Sequence, residues 1–315
     1  MDLSVIIVNW NTRELVLNCL RSLDGATENM SAEVYVVDNG SRDGSVAAVR
    51  HTFPDVVVVA NERNLGFARA NNKALKRARG EYVLLLNSDV LLSKDTVTAL
   101  MEFMGKNALA GMAGAQLLNS DGSKQNSFDN FPTLLSEGFN KSLLRILFPG
   151  RFPSKRVTTS SPREVESVIG ACVLVRREAI KAVGLLDEDY FFFMEETDWC
   201  YRMREKGWRV YIVPDARAVH LQGATVRGVK SRSKIEYYRS RYLFFRKHRG
   251  QIQSAVLKGV LVFKLGVSLV LHGFTCLFTF FQTTRARQKL AVTWTLLVWH
   301  VLFCPENRGL KDVRQ

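Results

Sequence analysis

The chain has 315 residues, 47% of them apolar, which supports one large domain or a domain with an appendage and excludes an unfolded chain. Its net charge of +14 is uneven: residues 1–220 hold 27 basic and 27 acidic side chains, while residues 221–315 hold 17 basic and three acidic ones, so the tail calls for an anionic partner. Five scattered cysteines with neither metal-knuckle nor disulfide spacing point to a reducing compartment, and the opening MDLSVIIVNW reads as a first strand rather than a signal peptide.

Leu3–Val8 is an apolar run of strand length, and Thr12–Leu23 sets its leucines on a helical period behind a threonine cap. Val34–Asp38 is a second strand that ends in the polar turn NGSRDGS. Val56–Val59 is a third, with GFARANNKALKRA as the helix after it. Tyr82–Asp89 is a fourth, followed by a helix that begins near Ser93. Apolar strands between amphipathic helices predict an α/β fold, a mostly parallel sheet covered by helices on both faces. Polar residues gather just past the strand ends, where such a sheet receives ligands: Asn9, Trp10 and Asn11, then Asp38 and Asn39, then Asn61 to Asn64, then Asn87, Ser88 and Asp89. Turn chemistry accounts for any one of these, but the loading of all four ends on one edge favours a ligand site. No GxGxxG follows the first strand and no GxxxxGK[ST] occurs, which argues against a dinucleotide fingerprint and a P-loop NTPase.

From about Gly111 to Arg163 the pattern loosens into what reads as a binding loop or lid. ESVIGACVLVRREAIKAVG then returns to strand and helix, and its Gly170 and Ala171 either admit a close approach to the backbone or serve packing. In FFFMEETDWCYRMREKGWRV a helix is expected from about Thr197 to Lys206, stopping at Gly207, with Asp198 and Arg202 paired on one face and Trp199 and Cys200 in the core. Glu195 and Glu196 either charge the helix start favourably, or one of them is a general base whose pKa is raised beside Phe191–Phe193. Asp89 is a loop or cap carboxylate, or one ligand of a hard cation that completes its shell with substrate phosphates. His220 is a structural histidine or a neutral imidazole near a metal or diphosphate, with Arg227 adding a phosphate contact.

The ordered pieces SVIIVNWN, VVDNGSRDGS, NERNLGFARANN, LLLNSDV, LLNSDGS with FP beyond it, GACVLVRR, FFFMEETDWCYRMREKGWRV and VHLQGAT span residues 3–225. In them the chain resembles the inverting glycosyltransferases of family 2, and among these the bacterial rhamnosyltransferase-like group. The resemblance implies a single nucleotide-binding domain of glycosyltransferase A type and a base-assisted, inverting transfer of a sugar, rhamnose above others, to a lipid-linked or polysaccharide acceptor in cell-envelope glycan synthesis. It implies donor contacts at Asn9, Trp10, Asp38, Asn64, Asn87, Ser88 and Arg227, with Trp10 against the base and Asp38 reading it. Asp89 matches the last acid of a DxD-like motif that appears here as NSD, so Mg2+ or Mn2+ rests on one carboxylate, helped by His220. Glu196 matches the second member of the family's ED pair, the base, with its division of labour with Glu195 left open. Acceptor contacts are expected at Gly170, Ala171, Asp198 and Trp199.

After Gln222, KIEYYRSRYLFFRKH interleaves aromatic and basic residues at helical spacing. Val256–Phe281 is almost wholly apolar, broken by Lys258, Lys264 and His272. Its cleanest piece, Leu265–Phe281, has 17 residues, the lower limit for a spanning helix, and Ala291–Phe303 is shorter still. Three arrangements compete: helices lying on the cytoplasmic face of a membrane, a spanning or re-entrant hairpin, and a subdomain whose apolar residues are simply buried. The expected division is a catalytic domain over 1–225, nucleotide-sugar half 1–110 and acceptor half 111–225, followed by a basic, apolar helical region over 226–315 that associates with membrane. The expected partners are a nucleotide diphosphate sugar, a polyprenyl-diphosphate-linked or polysaccharide acceptor and an anionic membrane surface, with a homodimer left open and no nucleic acid. Three alternatives stand beside this: transfer from a uridine-diphosphate hexose, a nucleotidyltransferase, and nucleic-acid binding through the tail.

Overall fold

The computed structural model describes residues 1–149, 160–221 and 230–310. Its first elements are β1 (Leu3–Asn9), α1 (Arg13–Thr27), β2 (Ala32–Asp38), α2 (Ser45–Thr52), β3 (Val57–Ala60), α3 (Phe67–Leu75), β4 (Tyr82–Asn87), β5 (Val90–Leu92) and α4 (Thr96–Lys106). Then come β6 (Ala110–Leu118), β7 (Phe128–Asp129), α5 (Leu134–Gly138), α6 (Lys141–Leu147), β8 (Arg163–Glu164), β9 (Ser167–Val168), β10 (Cys172–Arg176) and α7 (Arg177–Val183). The last are α8 (Glu195–Glu205), β11 (Arg209–His220), α9 (Lys230–His248), α10 (Gln251–Phe278) and α11 (Thr284–Val301).

Two compact units divide the described residues, 1–131 with 160–190 and 195–221 in the first, and 132–149 with Phe191–Met194 and 230–310 in the second. A single cut at residue 225 therefore misplaces α5, α6 and the phenylalanine triplet. Their contacts explain why: Phe193 meets Tyr237 edge-on at 5.6 Å, Ser240 donates to the Phe192 carbonyl at 3.1 Å, and Lys264 donates to the Glu137 carbonyl at 2.8 Å.

The first unit is built on a sheet of order β3-β2-β1-β4-β10-β6-β11-β5, with β8 on β11 and β7 paired to β9 beside it. β3, β2, β1 and β4 run parallel, as expected, and so do β6 and β11, whereas β10 is antiparallel to both β4 and β6. β1 is buried along its length because helices cover both faces. Leu3, Val5 and Ile7 share a core with Val16, Leu20 and Leu23 of α1 and with Val97, Leu100 and Met104 of α4, while α3 packs on the other side of β1 and β2.

Two local expectations change. Thr12 does precede α1, but its hydroxyl makes no cap bond; it donates to Asn9 Oδ1 at 2.6 Å and lies 3.0 Å from Ser88 Oγ, because those buried groups need a partner. β4 ends at Asn87, and only Ser88 and Asp89 separate it from β5, which pairs at the far edge of the sheet with β11. β11 reaches that strand through a register shift between Val213 and Arg217, where Pro214 has no N–H to give a ladder.

In the second unit α9, α10 and α11 close on Ile235, Leu265, Leu296 and Trp299. α10 is one continuous helix of 28 residues, longer than the 17-residue piece read from composition, and it is the one described helix long and apolar enough to cross a membrane. It is apolar on both its buried and its exposed side. Phe263, Val267, Val270, Leu271, Phe274 and Phe278 stand outward and exposed, while Leu257, Leu261 and Leu265 are buried, Lys264 bonds Glu137 and His272 lies 3.1 Å from Thr293 Oγ1. Burial of the apolar residues, the third arrangement weighed from sequence, does not describe this helix.

Asn72, on α3, is a strut. It is buried, donates to the Leu186 carbonyl at 2.8 Å and to Glu188 at 3.0 Å, and accepts the Leu186 N–H at 3.2 Å. Asn72→Ala leaves a backbone donor and acceptor unpaired and is expected to cost about 2 kcal/mol, seen as an earlier denaturation midpoint.

Candidate active site

The polar residues past the strand ends bond largely to one another. Asn9 is fully buried; its amide donates to Asp38 Oδ1 at 2.9 Å and Ser41 Oγ at 3.2 Å, and its oxygen accepts the Thr12 hydroxyl. Fully buried, with both amide hydrogens engaged, Asn9 has no surface for a donor molecule, a correction to the role expected of it: it orients Asp38. Asp38 is also buried and takes the Ser41 N–H at 2.8 Å, yet each of its oxygens retains acceptor capacity beyond one bond. The β2–α2 turn is pressed against the β3–α3 loop, since Gly40 holds φ +77° and a Cβ there would lie 2.8 Å from Arg63 Cα. Asn39 bridges the same two loops, accepting from Asn61 at 2.9 Å and donating to Asn64 Oδ1 at 3.3 Å. Asn64 also accepts the Gly66 N–H at 2.9 Å. Trp10 is half-buried beside this lattice, and Arg227 lies outside the described residues.

At the mouth of β4, Ser88 is held by Thr12, and the Oδ1 of Asn87 is buried without a hydrogen-bond partner among the described residues. Asp89 Oδ1 lies 3.4 Å from His220 Nε2. The strand register creates this meeting: His220 pairs with Val90, and the Leu221 N–H donates to the Asp89 carbonyl at 3.0 Å. Gln125 then sets the ring. Its amide nitrogen donates to Asn119 Oδ1 at 2.9 Å and to the His220 carbonyl at 3.1 Å, so its oxygen faces Nδ1 at 2.8 Å and accepts that N–H. A neutral ring in this tautomer turns the Nε2 lone pair toward a carboxylate oxygen, and two electron-rich atoms so placed suit a hard divalent ion. Among the described residues no three His, Cys, Asp or Glu converge on one point. Gln125 sits in the loosened stretch after Gly111, and nothing in its sequence surroundings announced it.

Glu196 occupies the same end of the sheet. Asn87 N–H donates to the Ala171 carbonyl at 2.9 Å, and next to Ala171 a Cβ on Gly170 would stand 3.4–3.6 Å from the Glu196 side chain. Gly170 thus neighbours Glu196 at ordinary van der Waals distance. Glu196 Oε2 is shut from water with no hydrogen-bond partner among the described residues. Burial, reinforced by the nearby Asp129 charge, pushes its pKa up, against backbone N–H groups including that of Gly170 that pull it down. Asp129 was not foreseen; it lies on β7, paired with Ser167. Glu195 is buried as well, and its charge adds to burial and to the charges of Asp198 and Asp187 in pushing the Tyr190 hydroxyl up.

Asp198 and Trp199 are corrections to the acceptor-side expectation. Trp199 is fully buried and donates to the Gly184 carbonyl at 2.9 Å; Asp198 is buried and ion-paired with Arg202 at 2.7 Å, as the i,i+4 spacing suggested. Neither has surface to offer a substrate. The thiol nearest this helix, Cys200, is buried and pushed up to about 12, so it does not act as a nucleophile.

A family model described as glycosyl transferase family 2 matches residues 4–184, and the chain belongs to that family. It is similar to N-acetylglucosaminyl-diphospho-decaprenol L-rhamnosyltransferase of Mycobacterium tuberculosis, at 29% identity over 269 residues, covering 79% of this chain and 85% of the relative. It is also similar to dTDP-rhamnosyl transferase RfbF of Shigella flexneri, at 24% identity over 225 residues and 70% of each chain. Among solved structures, mannosyltransferase PcManGT from Pyrobaculum calidifontis in complex with GDP-Man and Mn2+ shares the fold, with a TM-score of 0.53 at 18% identity over 95% of this chain and 86% of that one. The chain is a glycosyltransferase with a fold of glycosyltransferase A type, and neither a nucleotidyltransferase nor a nucleic-acid-binding protein is favoured.

The raised Glu196 pKa has a signed consequence. A carboxyl that holds its proton more tightly folded than unfolded stabilises the fold fully below the ordinary glutamate value, about 4.3, and loses that contribution as pH rises through the folded value. Glu196→Gln is therefore expected to raise the thermal midpoint at neutral and alkaline pH, with the gain vanishing in acid; melting curves across pH check it.

Proposed function

We propose that this enzyme transfers rhamnose, with inversion, from a nucleotide diphosphate sugar to a polyprenyl-diphosphate-linked or polysaccharide acceptor in cell-envelope glycan synthesis, working at the cytoplasmic face of the membrane. The rhamnosyltransferase relatives support the sugar and the lipid-linked acceptor, and the outward apolar stripe of α10 supports the membrane. The observation that carries the mechanism is that one end of the sheet holds a cation-binding pair, Asp89 and His220, and a desolvated carboxylate, Glu196, joined through Asn87, Ala171 and Gly170.

Asp38, oriented by Asn9, reads the base of the donor, with Trp10, Asn64 and Ser88 along the same edge. Asp89 and His220 would hold Mg2+ or Mn2+, which supplies positive charge against the departing diphosphate. Asn87 Oδ1, buried and without a hydrogen-bond partner among the described residues, accepts a hydrogen bond from the bound donor. Glu196 takes the proton from the acceptor hydroxyl as that oxygen attacks the anomeric carbon; the diphosphate leaves from the opposite face, so one displacement inverts the centre. Desolvation favours this role by making Glu196 a stronger base than an exposed carboxylate. Glu195 supports the helix start, where its negative charge meets the helix dipole favourably. Gly170 and Ala171 line the acceptor side.

A thermal-shift panel of nucleotide diphosphates and nucleotide sugars, with and without Mn2+, tests both halves. Asp89→Ala is expected to lose the Mn2+-dependent part of the stabilisation, and Glu196→Gln to keep donor stabilisation while transfer falls at least about a thousandfold. Full transfer by Glu196→Gln, or Mn2+-dependent stabilisation that survives Asp89→Ala, overturns the assignment.

A further inference from the structure

The second unit encloses a cavity of about 1090 Å³ among α5, α9, α10 and α11 that belongs to none of the chemistry above. Five basic side chains line it, Lys234, Arg241, Lys264, Arg285 and Lys289, against one carboxylate, Glu137. Glu137 is paired with Arg241 and its carbonyl accepts from Lys264. Lys234, Arg285 and Lys289 are exposed at the rim and have no acidic partner among the described residues. Arg241 Nε is buried without an acceptor, although the guanidinium lies over the Tyr237 and Tyr238 rings at 4.7 and 5.5 Å. The floor is apolar: Leu261, Leu265 and Leu296 are buried.

A rim of cations over an apolar floor is complementary to an amphiphile, an anionic head joined to hydrocarbon. The surroundings say where such a molecule comes from. α10 turns its large apolar residues outward, Phe263 at 72% and Phe278 at 81% exposed, while the same helix turns Lys264, Ser268 and His272 into the cavity. A helix in water does not leave so large an apolar face exposed. The two faces fit a helix seated in lipid with its polar face kept for a ligand that is also in the lipid. On α11 the cavity residues Arg285, Lys289, Val292 and Leu296 recur at helical spacing, so one face of that helix changes from cationic to apolar along its length.

We infer that this cavity binds the diphosphate group of a membrane lipid, with its cationic rim on the diphosphate oxygens and its apolar floor on the first carbons of the chain. Resting on the lipid-linked acceptor proposed above, this makes the helical unit a second, acceptor-side recognition site in addition to a membrane anchor. Lysine and arginine are suited to the task because each lipid phosphate presents several oxygens at a membrane surface where the field already concentrates cations.

The test uses the full chain purified in detergent and three vesicle preparations: phosphatidylcholine alone, phosphatidylcholine doped with undecaprenyl diphosphate, and phosphatidylcholine doped with phosphatidylglycerol to equal surface charge. In flotation, the wild type is expected to bind the diphosphate-doped vesicles most tightly. The double variant Arg285→Glu/Lys289→Glu is expected to lose that preference, about tenfold or more, while its binding to phosphatidylcholine alone and its donor-induced thermal shift stay as in the wild type. Equal binding to phosphatidylglycerol and diphosphate vesicles, or an unchanged preference in the double variant, overturns the inference. The two proposals separate cleanly. Transfer to a soluble glycan but to no lipid-linked acceptor, with the diphosphate preference intact, removes the acceptor assignment and leaves the lipid site. Transfer to a lipid-linked acceptor with an unchanged double variant does the opposite.

Discussion

The pairing of His220 with Val90 decides what the mouth of the sheet can be, because Asp89 is the residue before Val90 and Gln125 waits on the other side of the ring. A strand alternates faces with a period of two, so a slip of one residue in β11 would carry the imidazole to the opposite face and leave Asp89 without it. The register is held from three directions: the β6 ladder resumes at Arg217 after the bulge, the Leu221 N–H reaches the Asp89 carbonyl, and Gln125 grips both the ring and the carbonyl of His220. The Asp89–His220 pair is therefore built by backbone hydrogen bonds, with the two side chains following.

Around that pair the asparagines form a frame. Asn9, Asn39, Asn61 and Asn72 are buried and bond to loops that arrive from different strands, which is what short polar side chains with both donor and acceptor can do where a hydroxyl or carboxylate cannot. The frame costs the site direct contacts but gives it rigidity. What remains unpaired is informative by contrast: Asn87 Oδ1 and Glu196 Oε2 are both shut from water at this end of the sheet and both lack partners among the described residues.

The parallel half of the sheet was legible in sequence because its strands are apolar runs ended by polar turns, and both signals are local. The rest depends on pairing, which composition does not encode. β10 reads as a strand, yet nothing in GACVLVRR says it runs antiparallel between β4 and β6. Gln125 and Asp129 lie in a stretch without periodicity, so their proximity to His220 and Glu196 is a tertiary fact. α10 was shortened in the sequence reading because Lys258, Lys264 and His272 counted as interruptions. Their spacing, set against Phe263, Val267, Val270 and Phe274, places Lys264 and His272 on one face and the hydrocarbon on the other. Phe191–Phe193 were read as cover for the acids that follow, whereas Phe192 and Phe193 pair with one another and with residues of α9.

The junction between that triplet and the acids has a physical logic of its own. Phe193 and Met194 hold φ of 75° and 67°, a left-handed conformation that costs a bulky residue on the order of 1–2 kcal/mol each and survives only where neighbours over-determine it. The Phe193–Tyr237 and Ser240–Phe192 contacts fix the chain just before the turn, and the Gly170–Glu196 contact fixes it just after. Two consecutive left-handed residues reverse the chain sharply, so α8 starts at Glu195, with Glu196 beside Gly170. A glycine pair would make the same turn with less strain, but without the aromatic rings that hold it. The turn thus sets where α8 begins and, with it, the position of both glutamates in its first turn.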